Sequence, residues 1–135
     1  MAKILIVEDN QANMKLTTLL LLNVGHTVLG APDAETGLLM ARAEQPDLIL
    51  MDIQLPGMDG LAATALLKKN PETAAIPIIA LTALAMKDDQ EKTRVAGCDG
   101  YIAKPLRYRE LYAAIDALLV KSAGPNAAIG VLPLP

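Results

Sequence analysis

A chain of 135 residues has room for one domain with a sizeable core, and its 53% hydrophobic and 20% charged residues are the composition of a folded globular protein rather than a disordered one. A net charge of -3 supplies no basic field for phosphates, which argues against direct nucleic-acid binding. The opening "MAKILIVEDN" is too short for a signal-peptide core and "LTTLLLLNVG" falls short of a membrane span of ~20 residues, so a cytoplasmic location with no membrane partner is expected.

In chain order, the first element is the apolar run "ILIV" at 4–7, which ends in Glu8 and Asp9. Asn10 caps a helix that runs to about Asn23, where Val24-Gly25 stops it. "HTVLGA" at 26–31 is a weaker strand near a sheet edge; His26, the only histidine, has no second metal-type ligand nearby and reads as a surface or edge residue. Asp33 caps a second helix, with Glu35 in its first turn and Pro46 beyond its end. "LILM" at 48–51 is the next strand and delivers Asp52 at its tip. Asp59 or Gly60 opens a third helix that stops at Asn70-Pro71.

"IPIIAL" at 76–81 leads to Thr82, and a fourth helix from about Lys87 to Ala96 ends at Gly97. The lone Cys98 cannot form an internal disulfide and reads as a small buried hydrophobe. "GYIA" at 100–103 runs into Lys104-Pro105, and a fifth helix carries Leu111, Ile115, Leu118 and Leu119 on one face up to about Lys121. The runs at 4–7, 48–51 and 76–81 lack polar alternation, as strands buried on both faces do. Five β-α alternations predict an α/β fold: a doubly wound, five-stranded parallel sheet with right-handed crossovers.

In such a sheet ligands bind at the carboxyl ends of the strands, near the point where strand order reverses. An order of 2-1-3-4-5 would bring Glu8, Asp9 and Asp52 to one rim, where like charges repel unless they share protons or gather around a cation. With only oxygen ligands and no paired His or Cys, Mg²⁺ is the expected ion, held directly by Asp9 and Asp52 and through water by Glu8. Glu8 and Asp9 could instead cap the following helix, but four residues and a proline separate Asp52 from the next one. Thr82 and Lys104 project to the same rim. A cation, a carboxylate nucleophile, a hydroxyl and an ammonium together suit formation of an acyl phosphate on Asp52.

At these spacings "LIVEDN", "DLILMDIQLPGMDG", "IIALTA" and "GCDGYIAKP" resemble the receiver domain of the response-regulator family from residue 3 to about 121, in particular single-domain regulators of the DivK kind. The resemblance implies a flavodoxin-like (βα)5 fold over 1–122. It makes Asp52 the phosphoacceptor for a histidine kinase or a histidine phosphotransfer protein. It adds the backbone carbonyl of Gln54 to Asp9 and Asp52 as Mg²⁺ ligands, gives Thr82 and Lys104 contacts to the phosphoryl group, makes Tyr101 the aromatic that follows Thr82 inward, and makes the bond to Pro105 cis. The output would be a downstream protein docking on the face of helix four, strand five and helix five, from a monomer or weak dimer. Helix four, "KDDQEKTRVA", has few large apolar anchors, and pairs such as Asp88 with Lys92 are worth only ~0.3 kcal/mol.

Leu84 is an aliphatic at a position where that family varies, and it is expected to tune dephosphorylation. Residues 123–135 are read as a flexible tail or linker remnant, with packing on the body or a partner as the other option. Competing functions are a binding module that signals without phosphorylation and a receiver fragment of a hybrid histidine kinase; strand one starting at Lys3 favours a free-standing protein. An aspartate phosphatase is disfavoured by Gln54, where a general acid is expected, and flavin binding by the acidic loop "EDNQAN".

Overall fold

The computed structural model describes residues 2–83 and 87–122, the side chains of 87–89, 121 and 122 excepted. Leu84, the Asp88 side chain and the 123–135 tail lie outside the described residues. The elements are β1 (Lys3–Val7), α1 (Gln11–Asn23), β2 (Thr27–Ala31), α2 (Ala34–Glu44), β3 (Leu48–Asp52), α3 (Gly60–Lys69), β4 (Ile78–Thr82), α4 (Lys87–Ala96), β5 (Gly100–Ala103) and α5 (Tyr108–Ser122). All strand pairs are parallel, in the order β2-β1-β3-β4-β5.

The missing polar alternation has a direct structural cause. Ile4, Ile6, Leu48, Leu50, Ile79 and Leu81 pack with Leu21 of α1 and with Leu111 and Ile115 of α5. The intervening Leu5, Val7, Ile49, Met51 and Ile78 pack on the opposite face with Ala41 of α2 and with Ala63 and Leu67 of α3. Both sets are buried. Each fully buried Leu or Ile contributes about 1.5–3 kcal/mol relative to exposure, so these strands are fixed on two sides.

Helix starts follow the acids and amides of the sequence. Asn10, Asp33 and Asp59 are N-caps whose side chains accept from the backbone N–H of Asn13 (2.9 Å), Thr36 (2.7 Å) and Ala62 (2.8 Å). Asp59 therefore caps α3 and Gly60 is its first residue.

Three local readings change. His26 precedes β2 rather than opening it, and its Nδ1 accepts the Ala2 N–H at 3.3 Å. The strand read at 76–81 begins at Ile78, because Ile76 closes a turn onto the Thr73 carbonyl and Pro77 has no N–H to donate. Cys98 is half-buried, with Sγ 3.9 Å from Thr64 Oγ1, and burial pushes its thiol up. Among the described residues, no helix is long and apolar enough to cross a membrane.

Candidate functional site

The parallel order places the ends of β1, β3, β4 and β5 on one rim. Glu8 extends the β1 ladder by donating its N–H to Ala31 (3.0 Å), and Ile53 extends β3 by donating to Leu81 (3.0 Å). Lys104 donates its backbone N–H to the Thr82 carbonyl at 2.6 Å, which binds the end of β5 to the end of β4. The Lys104–Pro105 peptide bond is cis.

Strand geometry brings the charged groups into contact. Lys104 Nζ donates to Asp52 Oδ2 (3.0 Å) and Glu8 Oε1 (3.1 Å). The other oxygen of each acid is also engaged: Asp52 Oδ1 accepts the Gln54 N–H at 3.0 Å, and Glu8 Oε2 accepts the Asn10 N–H at 3.2 Å. Glu8 and Asp52 are each only 3% exposed, whereas Asp9 is exposed. Carboxylate oxygens of Glu8, Asp9 and Asp52 lie within 4.8 Å of one another.

Such crowding shows in the proton affinities. Burial, helped by proton sharing with Asp52, pushes Glu8 up to about 7, against the opposing pull of Lys104. Burial works to lower the Lys104 ammonium, but its bonds to Asp52 and Glu8 together hold it above the ordinary value. Three oxygen-donor acids beside one ammonium fit a hard divalent cation such as Mg²⁺, which takes one or two carboxylates and keeps waters. The donor set lacks the His and Cys that zinc prefers.

Thr82, the last residue of β4, is buried at this rim. Tyr101 lies two residues before the end of β5, paired with Ala80; it is half-buried, and its hydroxyl accepts a hydrogen bond from Gln90 Nε2 of α4. Among the described side chains of α4 Thr93 is buried, while Val95 is 73% exposed, so these side chains anchor the helix weakly. Its described ion pair is Glu91 with Arg94, three residues apart on the exposed surface.

Two features of the site were not visible in the sequence. Gly60 starts α3 so close to β3 that a Cβ there would stand 2.1 Å from the Asp52 carbonyl oxygen. A cleft of about 100 Å³ runs from Glu8 and Lys104 to Leu16, Pro105 and Leu106, joining the acid cluster to the surface of α1.

An open parallel sheet with this strand order and an acid cluster at its switch-point rim defines a class of CheY-like signalling domains. Residues 4–116 match the response regulator receiver domain, and the chain belongs to that family, a component of two-component signalling. The chain is 44% identical over 116 residues to the polar-differentiation response regulator DivK of Brucella anthropi, covering 86% of this chain and 94% of that protein. DivK of Brucella ovis gives the same figures.

Among solved structures, the receiver domain of a sensor histidine kinase from Pseudomonas aeruginosa, described with a magnesium ion in its active-site cleft, has a TM-score of 0.82 at 35% identity. The match covers 87% of this chain and 97% of that one. A CheY-like receiver domain protein from Methanospirillum hungatei has a TM-score of 0.84 at 31% identity, over 91% and 97% of the two chains.

Proposed function

We propose that the chain is a single-domain response regulator in which Asp52 accepts a phosphoryl group from a histidine kinase or histidine phosphotransfer protein. The observation that carries this reading is the presentation of Asp52 by the fully buried strand β3, with Lys104 on one carboxylate oxygen and the Gln54 N–H on the other. The rest of the rim is arranged around that carboxylate.

In the reaction an Asp52 oxygen attacks phosphorus in line, the P–N bond of the donor phosphohistidine breaks, and its electron pair stays on the imidazole nitrogen. Lys104 counters the negative charge brought to the rim, and the Thr82 hydroxyl donates to a phosphoryl oxygen. Asp9, Asp52 and the Gln54 carbonyl would hold Mg²⁺, with Glu8 through water. The ion, when bound, supplies charge neutralisation to the phosphoryl oxygens. Asp52's own bond to the Gln54 N–H keeps that residue's backbone beside the carboxylate.

The output follows from the weakly anchored α4. When Thr82 turns toward the phosphoryl group, Tyr101 exchanges its bond to Gln90 for the space behind Thr82, and the α4-β5-α5 face changes for a protein partner. On this reading residues 1–122 form the receiver unit, and the protein works in the cytoplasm as a monomer or weak dimer. A receiver of a hybrid kinase is the second reading, supported by the 35% identity to such a domain; the 44% identity to DivK over 94% of its length favours the first.

Phosphotransfer from a panel of purified, autophosphorylated histidine kinases tests the proposal. Transfer from one kinase with a marked kinetic preference, lost in Asp52→Ala, is the expected result. Transfer from none, or undiminished transfer to Asp52→Ala, would defeat it.

A further inference from the structure

At the amino end of the strands, away from the acid cluster, a second charged group is bonded as closely as the first and has no part in the site chemistry. Lys68, in the last turn of α3, is half-buried, and its ammonium directs all three N–H donors at the protein. They reach the carbonyls of Ala74 (3.2 Å) and Ile76 (2.8 Å), in the turn before β4, and Asp99 Oδ2 (3.0 Å), just before β5. The same Asp99 oxygen accepts the Ile78 N–H at 2.9 Å, and the Asp99 N–H donates to the Ile78 carbonyl at 2.8 Å. Asp99 thus engages both backbone groups of the first residue of β4.

β5 is the strand that needs such a fixed start. It is a four-residue edge strand paired with β4, and Ile102 is its buried side chain. Its register, Ile79 with Gly100 through Thr82 with Ala103, is held at one end by Asp99 and at the other by the Lys104 N–H on the Thr82 carbonyl. A slip of one residue would carry Lys104 ~3.3 Å along the strand and turn its side chain to the other face, away from Asp52 and Glu8.

We infer that Lys68 is a positioning residue for the site: acting through Asp99 from the opposite end of the sheet, it sets the register of β5 that delivers Lys104 to the acid cluster. An exposed ion pair contributes little by itself, and the Asp99 side chain is 38% exposed, so the effect lies in geometry more than in charge. One ammonium ties the turn before β4 to the corner before β5. Its stem reaches α4 as well. Gly97 follows α4 at φ +109°, and a Cβ there would stand 2.8 Å from Lys68 Cγ, so the corner between α4 and β5 rests on the lysine stem.

The consequence for phosphorylation rests on the phosphoacceptor reading; the register lock does not. The test uses the full chain and the variant Lys68→Met, which keeps a stem under Gly97 and removes the three bonds. Amide hydrogen exchange of Gly100–Lys104, followed residue by residue, should quicken by about tenfold while β1 and β3 are unchanged, and labelling by acetyl phosphate with Mg²⁺ should slow about fivefold. Lys68→Arg, which keeps the charge and the donors, should recover both.

Faster exchange to the same degree in every strand would mean a general loss of stability and would overturn the inference. Unchanged exchange in β5, or faster exchange there with labelling at the wild-type rate, would overturn it too. Should Lys68→Met not fold, Asp99→Asn, which keeps an acceptor for the Ile78 N–H, is judged by the same comparison. Wild-type protein that takes no label defeats the phosphoacceptor reading alone, and the exchange of β5 then decides the register lock by itself.

Discussion

Lys104 Nζ lies 3.0 Å from Asp52 Oδ2 and bridges that acid to Glu8, so one ammonium from the end of β5 joins the ends of β1 and β3. The Asp52 side chain is nearly buried and that of Lys104 is 21% exposed, which places the pair between a surface ion pair and a fully buried one. Lys104→Gln should therefore lower the stability of the metal-free protein by about 2 kcal/mol, read as the shift in urea midpoint, and should slow labelling of Asp52 by at least about tenfold. Unchanged labelling would remove Lys104 from the chemistry.

Glu8 gives the pH dependence. Its carboxyl is raised from 4.5 to about 7 by burial and by sharing a proton with Asp52. A carboxyl raised on folding stabilises the protein fully below its unfolded value, and that contribution is withdrawn as pH rises through the folded one. Metal-free protein should thus lose Tm between about pH 5 and pH 8, and saturating Mg²⁺ should lessen the loss, since a cation favours the ionised cluster. Thermal unfolding at several pH values, with and without Mg²⁺, reads both effects; a Glu8→Gln variant should flatten the metal-free curve.

Gly60 and Gly57 separate close approach from backbone conformation. A Cβ at Gly60 would meet the Asp52 carbonyl oxygen at 2.1 Å and Ile53 Cα at 2.8 Å, both backbone atoms that cannot swing aside. Gly60→Ala should cost about 3 kcal/mol and displace the start of α3 from β3. At Gly57 there is open space but φ is +74°, so Gly57→Ala should cost only about 1 kcal/mol. Equal midpoints in denaturant for the two variants would contradict this ranking.

Asp59 caps α3 through a 2.8 Å bond to the Ala62 N–H. Asp59→Ala should destabilise by about 1 kcal/mol while leaving Mg²⁺-dependent labelling unchanged, because the cap holds the helix and not the carboxylate cluster. Equilibrium unfolding and labelling rates on the same preparation distinguish the two.

Much of this arrangement is legible in the residues because the signals are local. Ile4–Val7 and Leu48–Met51 lack alternation for the reason that helices cover both sheet faces, and Asn10, Asp33 and Asp59 cap the helices they precede. The carboxylates and Lys104 stand out as polar residues ending apolar strands. Other features depend on distances across the sheet that no local pattern encodes: the two hydrogen bonds from Lys104 Nζ to Glu8 and Asp52, the burial of Glu8 beside an exposed Asp9, and the approach of Gly60 to Asp52. Ile76 and Pro77 mislead in the opposite sense, since an apolar run continues through a turn that precedes β4.

The central claim is that Asp52 is the nucleophile of a Mg²⁺-assisted site, and incubation with acetyl phosphate followed by intact-mass measurement tests it most directly. One added phosphoryl group per chain with Mg²⁺, none with chelator and none in Asp52→Asn is the predicted result. Phosphorylation that persists in folded Asp52→Asn, or wild-type protein that takes up none with Mg²⁺ present, would contradict it.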